Sequence, residues 1–214
     1  MVVPFSLCMA TKALILDFDN TIFPVESIGD ELFAPVFKLL ESEVPEADLE
    51  SIKKELMRTP FQKVAKKHNL PEPITEKATS ILRNLEYNKP IKTFDDYPQL
   101  LHFGCAMFLV TMGFTKMQRS KIEHIGIKAD FTEIFIVDPE KSDTVKKDIF
   151  KTILDKYNYT ENEILVIGDD RDSEIKAAQE LGIKAVVYDK NASPESFSDE
   201  NTISDYSELP KYFS

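Results

Sequence analysis

The chain has 214 residues, 43% of them hydrophobic, and a formal net charge of −11 at pH 7. That length accommodates one large domain or a domain with a small insert, and that apolar content excludes global disorder. The acidic excess argues against nucleic acid and against an anionic membrane surface as partners, because both demand a surplus of Lys and Arg.

In chain order, residues 1–9 are mildly apolar, lack a basic leading region and are broken by Pro4. They read as a ragged N-terminal extension, with Met9 as an alternative start. Cys8 and Cys105 are the only cysteines, so there is neither a disulfide framework nor a zinc spacing. A reducing cytoplasm is the expected setting. The first strong signal is the apolar run 13–16, Ala-Leu-Ile-Leu, which reads as a buried parallel strand. It spills into Asp17-Phe18-Asp19-Asn20-Thr21. In open α/β sheets the carboxyl end of a strand is where ligands bind. Alternation along an extended chain points Asp17 and Asp19 the same way. One carboxylate can then attack while the other moves a proton.

Residues 24–90 show helical patterns only, about 25–42, 46–57, 60–69 and 73–87, punctuated by Pro45, Pro60, Pro71 and Pro73. A parallel crossover needs one helix, so this stretch reads as an all-α insert between the first two strands. The resulting division is an α/β core of residues 1–23 and 91–214 and a helical cap of residues 24–90. An insert directly after the Asp17 loop hangs over it, with Phe23, Arg58 and Lys63 as candidate substrate contacts.

Further apolar runs at 105–110, 134–137, 164–167 and 185–188 read as strands. Helices are expected at about 116–125 (Thr115 as N-cap, Gly126 as stop), 143–157 and 173–181 (Asp172 as cap, Gly182 as stop). The tail from about 190 is Ser/Asp-rich up to Thr202-Ile203-Ser204, a short edge strand followed by a final turn or helix. The fold class is a doubly wound, Rossmann-like parallel sheet. The three histidines form no cluster, and with six glycines there is no Gly-rich nucleotide loop.

Four patches punctuate the strand ends: Asp17 to Thr21; Thr111 after Met107-Phe108-Leu109-Val110; the lysines Lys141, Lys146 and Lys147; and Gly168-Asp169-Asp170. In this order they resemble the haloacid dehalogenase superfamily of phosphotransferases and hydrolases, over roughly residues 10–21 and 95–210. The aspartate loop is the most specific element of the likeness. The resemblance implies a phosphatase acting on a small phosphorylated metabolite. Asp17 would be the nucleophile that forms an aspartyl-phosphate, and Asp19 the general acid and base. Thr111 and the backbone N–H of Met112 would contact the phosphoryl oxygens, with Asn20 beside them.

Four aspartates plus a phosphate need a hard divalent cation, and Mg²⁺ suits oxygen ligands. The family pattern assigns it to the Asp17 side chain, the Asp19 backbone carbonyl and the Asp169 side chain. Glu174 falls where relatives carry a second acidic residue, and its contact is left open as direct or through water. Asp170 reads as a loop-orienting residue. A cation near the start of the 143–157 helix opposes the helix dipole, so something else must hold it. Family spacing to Phe150 favours Lys146 as the lysine at the phosphoryl charge, with Lys147 as the alternative. A dehalogenase is disfavoured by Asp19, because a halide leaves without a proton. A phosphomutase of the same fold remains open. A receiver-like regulatory protein shares the acidic pair but lacks the insert.

Overall fold

A computed structural model describes residues 11–192 and 201–213. Runs of apolar residues without alternation can only be buried on both faces, and they become parallel strands: β1 (Ala13–Leu16), β2 (Ala106–Met112), β3 (Glu133–Val137), β4 (Ile164–Gly168), β5 (Lys184–Tyr188) and the short β6 (Thr202–Ile203). They form one sheet in the order β3-β2-β1-β4-β5-β6, every pairing parallel. β1 is central, and strand order reverses between β1 and β4, the place where doubly wound sheets bind ligands. Register holds the strand ends level, with Leu16 opposite both Leu109 and Ile167.

The two faces carry separate apolar layers. Leu14, Leu16, Leu109 and Ile167 pack with Phe114 and with Met117 and Ile122 of α6 (Thr115–Ile125). Ala13, Ile15, Phe108 and Val166 pack with Phe150 and Ile153 of α7 (Lys146–Tyr157) and with Ala177 and Ala178 of α8 (Lys176–Gln179). Helices therefore cover both sides of the sheet, as its double burial requires.

Between β1 and β2 lie five α-helices, all among the described residues: α1 (Glu26–Leu32), α2 (Ala34–Leu40), α3 (Glu46–Leu56), α4 (Phe61–Lys67) and α5 (Glu72–Asn84). α3, α4 and α5 each begin directly after a proline, Pro45, Pro60 and Pro71. The helix expected over 25–42 is two helices, broken at Phe33 ahead of Pro35, whose missing N–H is tolerated in the first turn of α2. Apolar side chains of these helices join the layer on the α6 face of the sheet.

The other corrections are local. Thr115 is the first residue of α6 rather than its cap; Asp138, beyond β3, accepts from both its N–H (2.9 Å) and its Oγ1 (2.7 Å). α7 starts at Lys146, with Asp148 accepting from the Val145 N–H. Asp170, not Asp172, caps the turn after β4 by accepting from the Asp172 N–H (2.8 Å). Gly126 and Gly182 adopt positive φ where stops were expected. β6 is the expected edge strand, followed by a 3-10 turn, Tyr206–Tyr212. The expectations for residues 1–9 and for the Ser/Asp-rich stretch over 193–200 lie outside the described residues. Among the described residues no helix is long and apolar enough to cross a membrane.

Candidate active site

β1 ends at Leu16, and Asp17 still donates its N–H to the Ile167 carbonyl at 3.0 Å. The chain then turns sharply: Ile22 donates its N–H to Phe18 O, and Asn20 takes φ +56°. Asn tolerates that left-handed conformation better than most residues. The turn breaks the alternation that would have pointed Asp17 and Asp19 alike. Asp17 faces α7 and Asp19 faces α6, yet both line one cavity of about 500 Å³. The same cavity takes in Thr111, Met112, Lys146, Asp169, Glu174 and Asn20.

On the α7 side, Lys146 Nζ donates to Asp17 Oδ1 (2.7 Å) and Glu174 Oε2 (2.8 Å). All three side chains are at least nine-tenths buried. This ion triad supplies the partner that a lysine at a helix start needs. Lys147 instead pairs with Glu180 (2.7 Å), and Lys141 sits on Thr115 and Asp138 at the surface. Glu174 is steered by a single π-helical turn, Arg171–Ile175, closed by the Ile175 N–H on Asp170 O. Such turns insert one residue into the helical repeat and recur at functional sites. The turn brings Glu174 Oε1 back to accept from the Asp170 N–H (2.8 Å). Gly168 makes room for it, since a Cβ there would overlap the Glu174 carboxyl group.

Asp17, Asp169 and Glu174 each offer an oxygen lying within 4.8 Å of the other two. Burial pushes the Asp17 carboxyl up to about 7, the Lys146 charge opposing and the Glu174 and Asp19 charges adding to the rise. Burial also pushes Asp169 up to about 8, reinforced by the Asp17 and Glu174 charges and opposed by Lys146 and Arg58. Burial works against the charge on Lys146, but Asp17 and Glu174 prevail and raise its pKa. One lysine against three crowded carboxylates leaves negative charge uncompensated. The donor set is all hard oxygen, which fits Mg²⁺.

On the α6 side, Lys121 Nζ donates to both oxygens of Asp19 (2.6 and 2.8 Å). Gln118 Nε2 lies 3.0 Å from Asp19 Oδ2, 3.1 Å from Thr111 Oγ1 and 3.0 Å from Met112 O. The sequence reading missed both residues. Their signal was positional: Gln118 and Lys121 lie within the stripe set by Met117 and Ile122, where a solvated polar residue does not belong.

Asn20 lies in the cavity wall, but its amide is occupied by the chain. Nδ2 donates to Met57 O (2.9 Å) and Oδ1 accepts from the Val25 N–H (3.1 Å). Asn20 therefore ties the wall of the cavity together through its amide. Of the other candidate substrate contacts, Arg58 and Lys63 line the cavity, whereas Phe23 is wholly buried and does not. His68 meets Glu55, and His102 and His124 meet backbone carbonyls of their own turns.

A family model described as haloacid dehalogenase-like hydrolase matches residues 14–188, spanning every strand except β6. The chain belongs to that family. As a haloacid dehalogenase (HAD)-like hydrolase it is similar in fold to solved proteins over nearly its whole length. A HAD-like hydrolase, SP0104 from Streptococcus pneumoniae, superposes with a TM-score of 0.72 at 17% identity, covering 96% of this chain and 99% of that one. The HAD-hydrolase YfnB from Bacillus subtilis, bound to magnesium, gives 0.65 at 16% identity, covering 95% and 99%. A HAD phosphatase from Thermococcus onnurineus gives 0.59 at 19% identity, covering 94% and 97%. No curated protein matches the chain.

Proposed function

We propose that this HAD-like hydrolase is a Mg²⁺-dependent phosphatase of small phosphorylated metabolites, working through an aspartyl-phosphate. The observation that carries the reading is the shared cavity. A carboxylate trio with one lysine among it faces a fourth carboxylate, that of Asp19, and a threonine hydroxyl across it. The magnesium in YfnB and the phosphatase activity named for the Thermococcus protein support the assignment.

Asp17, Asp169 and Glu174 would hold the ion, with the Asp19 backbone carbonyl beside them. The ion would offset their charge and that of the phosphate and polarise the phosphoryl group. Asp17 uses one oxygen to bond phosphorus while its other carboxylate oxygen stays fixed. The bond from phosphorus to the leaving oxygen breaks, and Asp19 supplies that oxygen's proton. Water then bonds to phosphorus, its proton passes to Asp19, and the Asp17–phosphorus bond breaks to release phosphate. Lys146 and the Thr111 hydroxyl stabilise charge on the phosphoryl oxygens, joined by the Met112 N–H. The helices of residues 24–90 act as a cap over the cavity, restricting it to small substrates and excluding bulk water. No step calls on nucleic acid or a membrane.

The test is release of inorganic phosphate from a panel of phosphorylated metabolites, with Mg²⁺ and with chelator, against Asp17→Asn as blank. Mg²⁺-dependent release by the native chain alone is expected. Halide release from 2-haloacids in chelator, without any phosphate release, would overturn the reading in favour of a dehalogenase.

A further inference from the structure

We infer that Lys121 and Gln118 are positioning residues. They hold Asp19 and Thr111 for the breakdown of the aspartyl-phosphate, an inference that rests on the phosphatase reading above. The pair between Lys121 and Asp19 is asymmetric: the lysine side chain is 3% exposed and the aspartate 29%. An ammonium group withdrawn from water is costly unless it is matched closely. Here it is matched by both oxygens of Asp19 and by the rings of Phe18 and Phe23, whose centroids lie 5.4 and 5.6 Å from Nζ. All of these partners belong to the β1 loop. The lysine thus fixes the orientation of one carboxylate that looks into the cavity.

Gln118 points to the same conclusion from a different observation. Its side chain is buried, and its Oε1 has no hydrogen-bond partner, whereas its Nε2 faces three acceptors with two hydrogens. Flipping the amide would set an oxygen against the Asp19 carboxylate and the Met112 carbonyl, so the orientation is forced. Buried glutamines with only a structural role are normally satisfied. This one is held in a frustrated pose that links Asp19 to Thr111. Because Nε2 donates to Thr111 Oγ1, the threonine proton is left for an acceptor in the cavity. Gly113, at φ +152°, keeps the place open: a Cβ there would come within 2.9 Å of Nε2.

Held in this way, Asp19 keeps one orientation toward the cavity, as the proton transfers of both half-reactions need. Water forms the new bond to phosphorus and loses a proton to Asp19, and the electron pair of the broken bond returns to the Asp17 carboxylate. Without the clamp Asp19 rotates freely on its side-chain torsions and meets the water less often.

The experiment compares the full-length native chain, Lys121→Met, Lys121→Arg and Gln118→Met with p-nitrophenyl phosphate and Mg²⁺, with Asp17→Asn as blank. Steady-state rates are read beside the intact mass of acid-quenched enzyme. In Lys121→Met and Gln118→Met, kcat should fall at least about tenfold, with KM moving less than about threefold. The covalent phosphoenzyme should accumulate in these variants and not in the native chain. Lys121→Arg should lie nearer the native rate. If Lys121→Met does not fold, Gln118→Met, which moves no charge, decides alone. Native rates in the variants, or a loss without accumulated phosphoenzyme, overturn the inference while leaving the phosphatase reading intact. A native chain that releases no phosphate overturns both.

Discussion

Lys146 pairs with Asp17 and Glu174 at once, and all three side chains are at least nine-tenths buried. Removing one partner of a buried ion group costs about 3–5 kcal/mol, because the remaining charges stay desolvated. Lys146→Met should therefore lower the denaturation midpoint markedly and abolish turnover. An unchanged midpoint would mean that the triad contributes nothing to folding. Asp169, a ligand in the proposed cation site, has no lysine paired with it among the described residues. Asp169→Ala should leave the fold intact and weaken Mg²⁺ binding by about tenfold or more, measured by titration calorimetry. An unaltered isotherm would remove Asp169 from the ligand set. Much of this was legible at single positions. Asp17, Thr111 and Asp169 are polar residues at the ends of strands too apolar to need them, and Lys146 sits where a helix dipole disfavours it. Lys121 and Gln118 were not read, because one lysine among the many on amphipathic helices looks like surface. Only the three-dimensional approach of α6 to the β1 loop reveals them as buried.

The element that shapes the acidic side is the π-helical turn after β4. Its wider ring lets Glu174 fold back over the strand end, and Gly168 is the residue that tolerates it. Gly168→Ala would set a methyl group into the Glu174 carboxyl. It should cost about 1–3 kcal/mol by overpacking and release Lys146 from one of its two partners. The expected readouts are a lower Tm and a weaker Mg²⁺ response together. A variant as stable and as metal-responsive as the native chain would show that the loop relaxes freely. The π turn itself was invisible in the sequence, which there reads as an ordinary helix start. Prolines marked the starts of α3, α4 and α5 because their missing N–H is harmless only in a first turn. The same logic applied to Pro35 would have divided α1 from α2.

Across the whole molecule, chain segments distant in sequence are tied at a few polar points. Arg83, near the end of α5, grips Glu140 beyond β3 with Nε and Nη2, the latter at 2.6 Å. At the opposite edge of the sheet Asp205 collects donors from Ser207, Gln99 and Lys190. Hydrogen bonding from Ser207, outweighing burial, lowers the Asp205 carboxyl to about 2. A carboxyl depressed in the folded state stabilises above its ordinary pKa and loses that contribution as pH falls through the folded value. The support should be intact at pH 5 and fade between about pH 4 and pH 2. Asp205→Asn should flatten that part of the acid-unfolding curve, followed by the circular dichroism of the aromatic residues. Identical acid curves for the two proteins would refute the assignment.

Asn20 reaches out of the β1 loop to the Met57 carbonyl at the end of α3, while the Val25 N–H closes on its other end. The loop that carries Asp17 and Asp19 is thereby stitched to the inserted helices. A displacement of those helices would tug on the segment that follows Asp17 through a pair of hydrogen bonds. On the proposed phosphatase mechanism, admission of a guest and alignment of the attacking group would then be one mechanical event. On that proposal, a molecule too large for the helices to settle over would meet a blunted reagent as well as an open door.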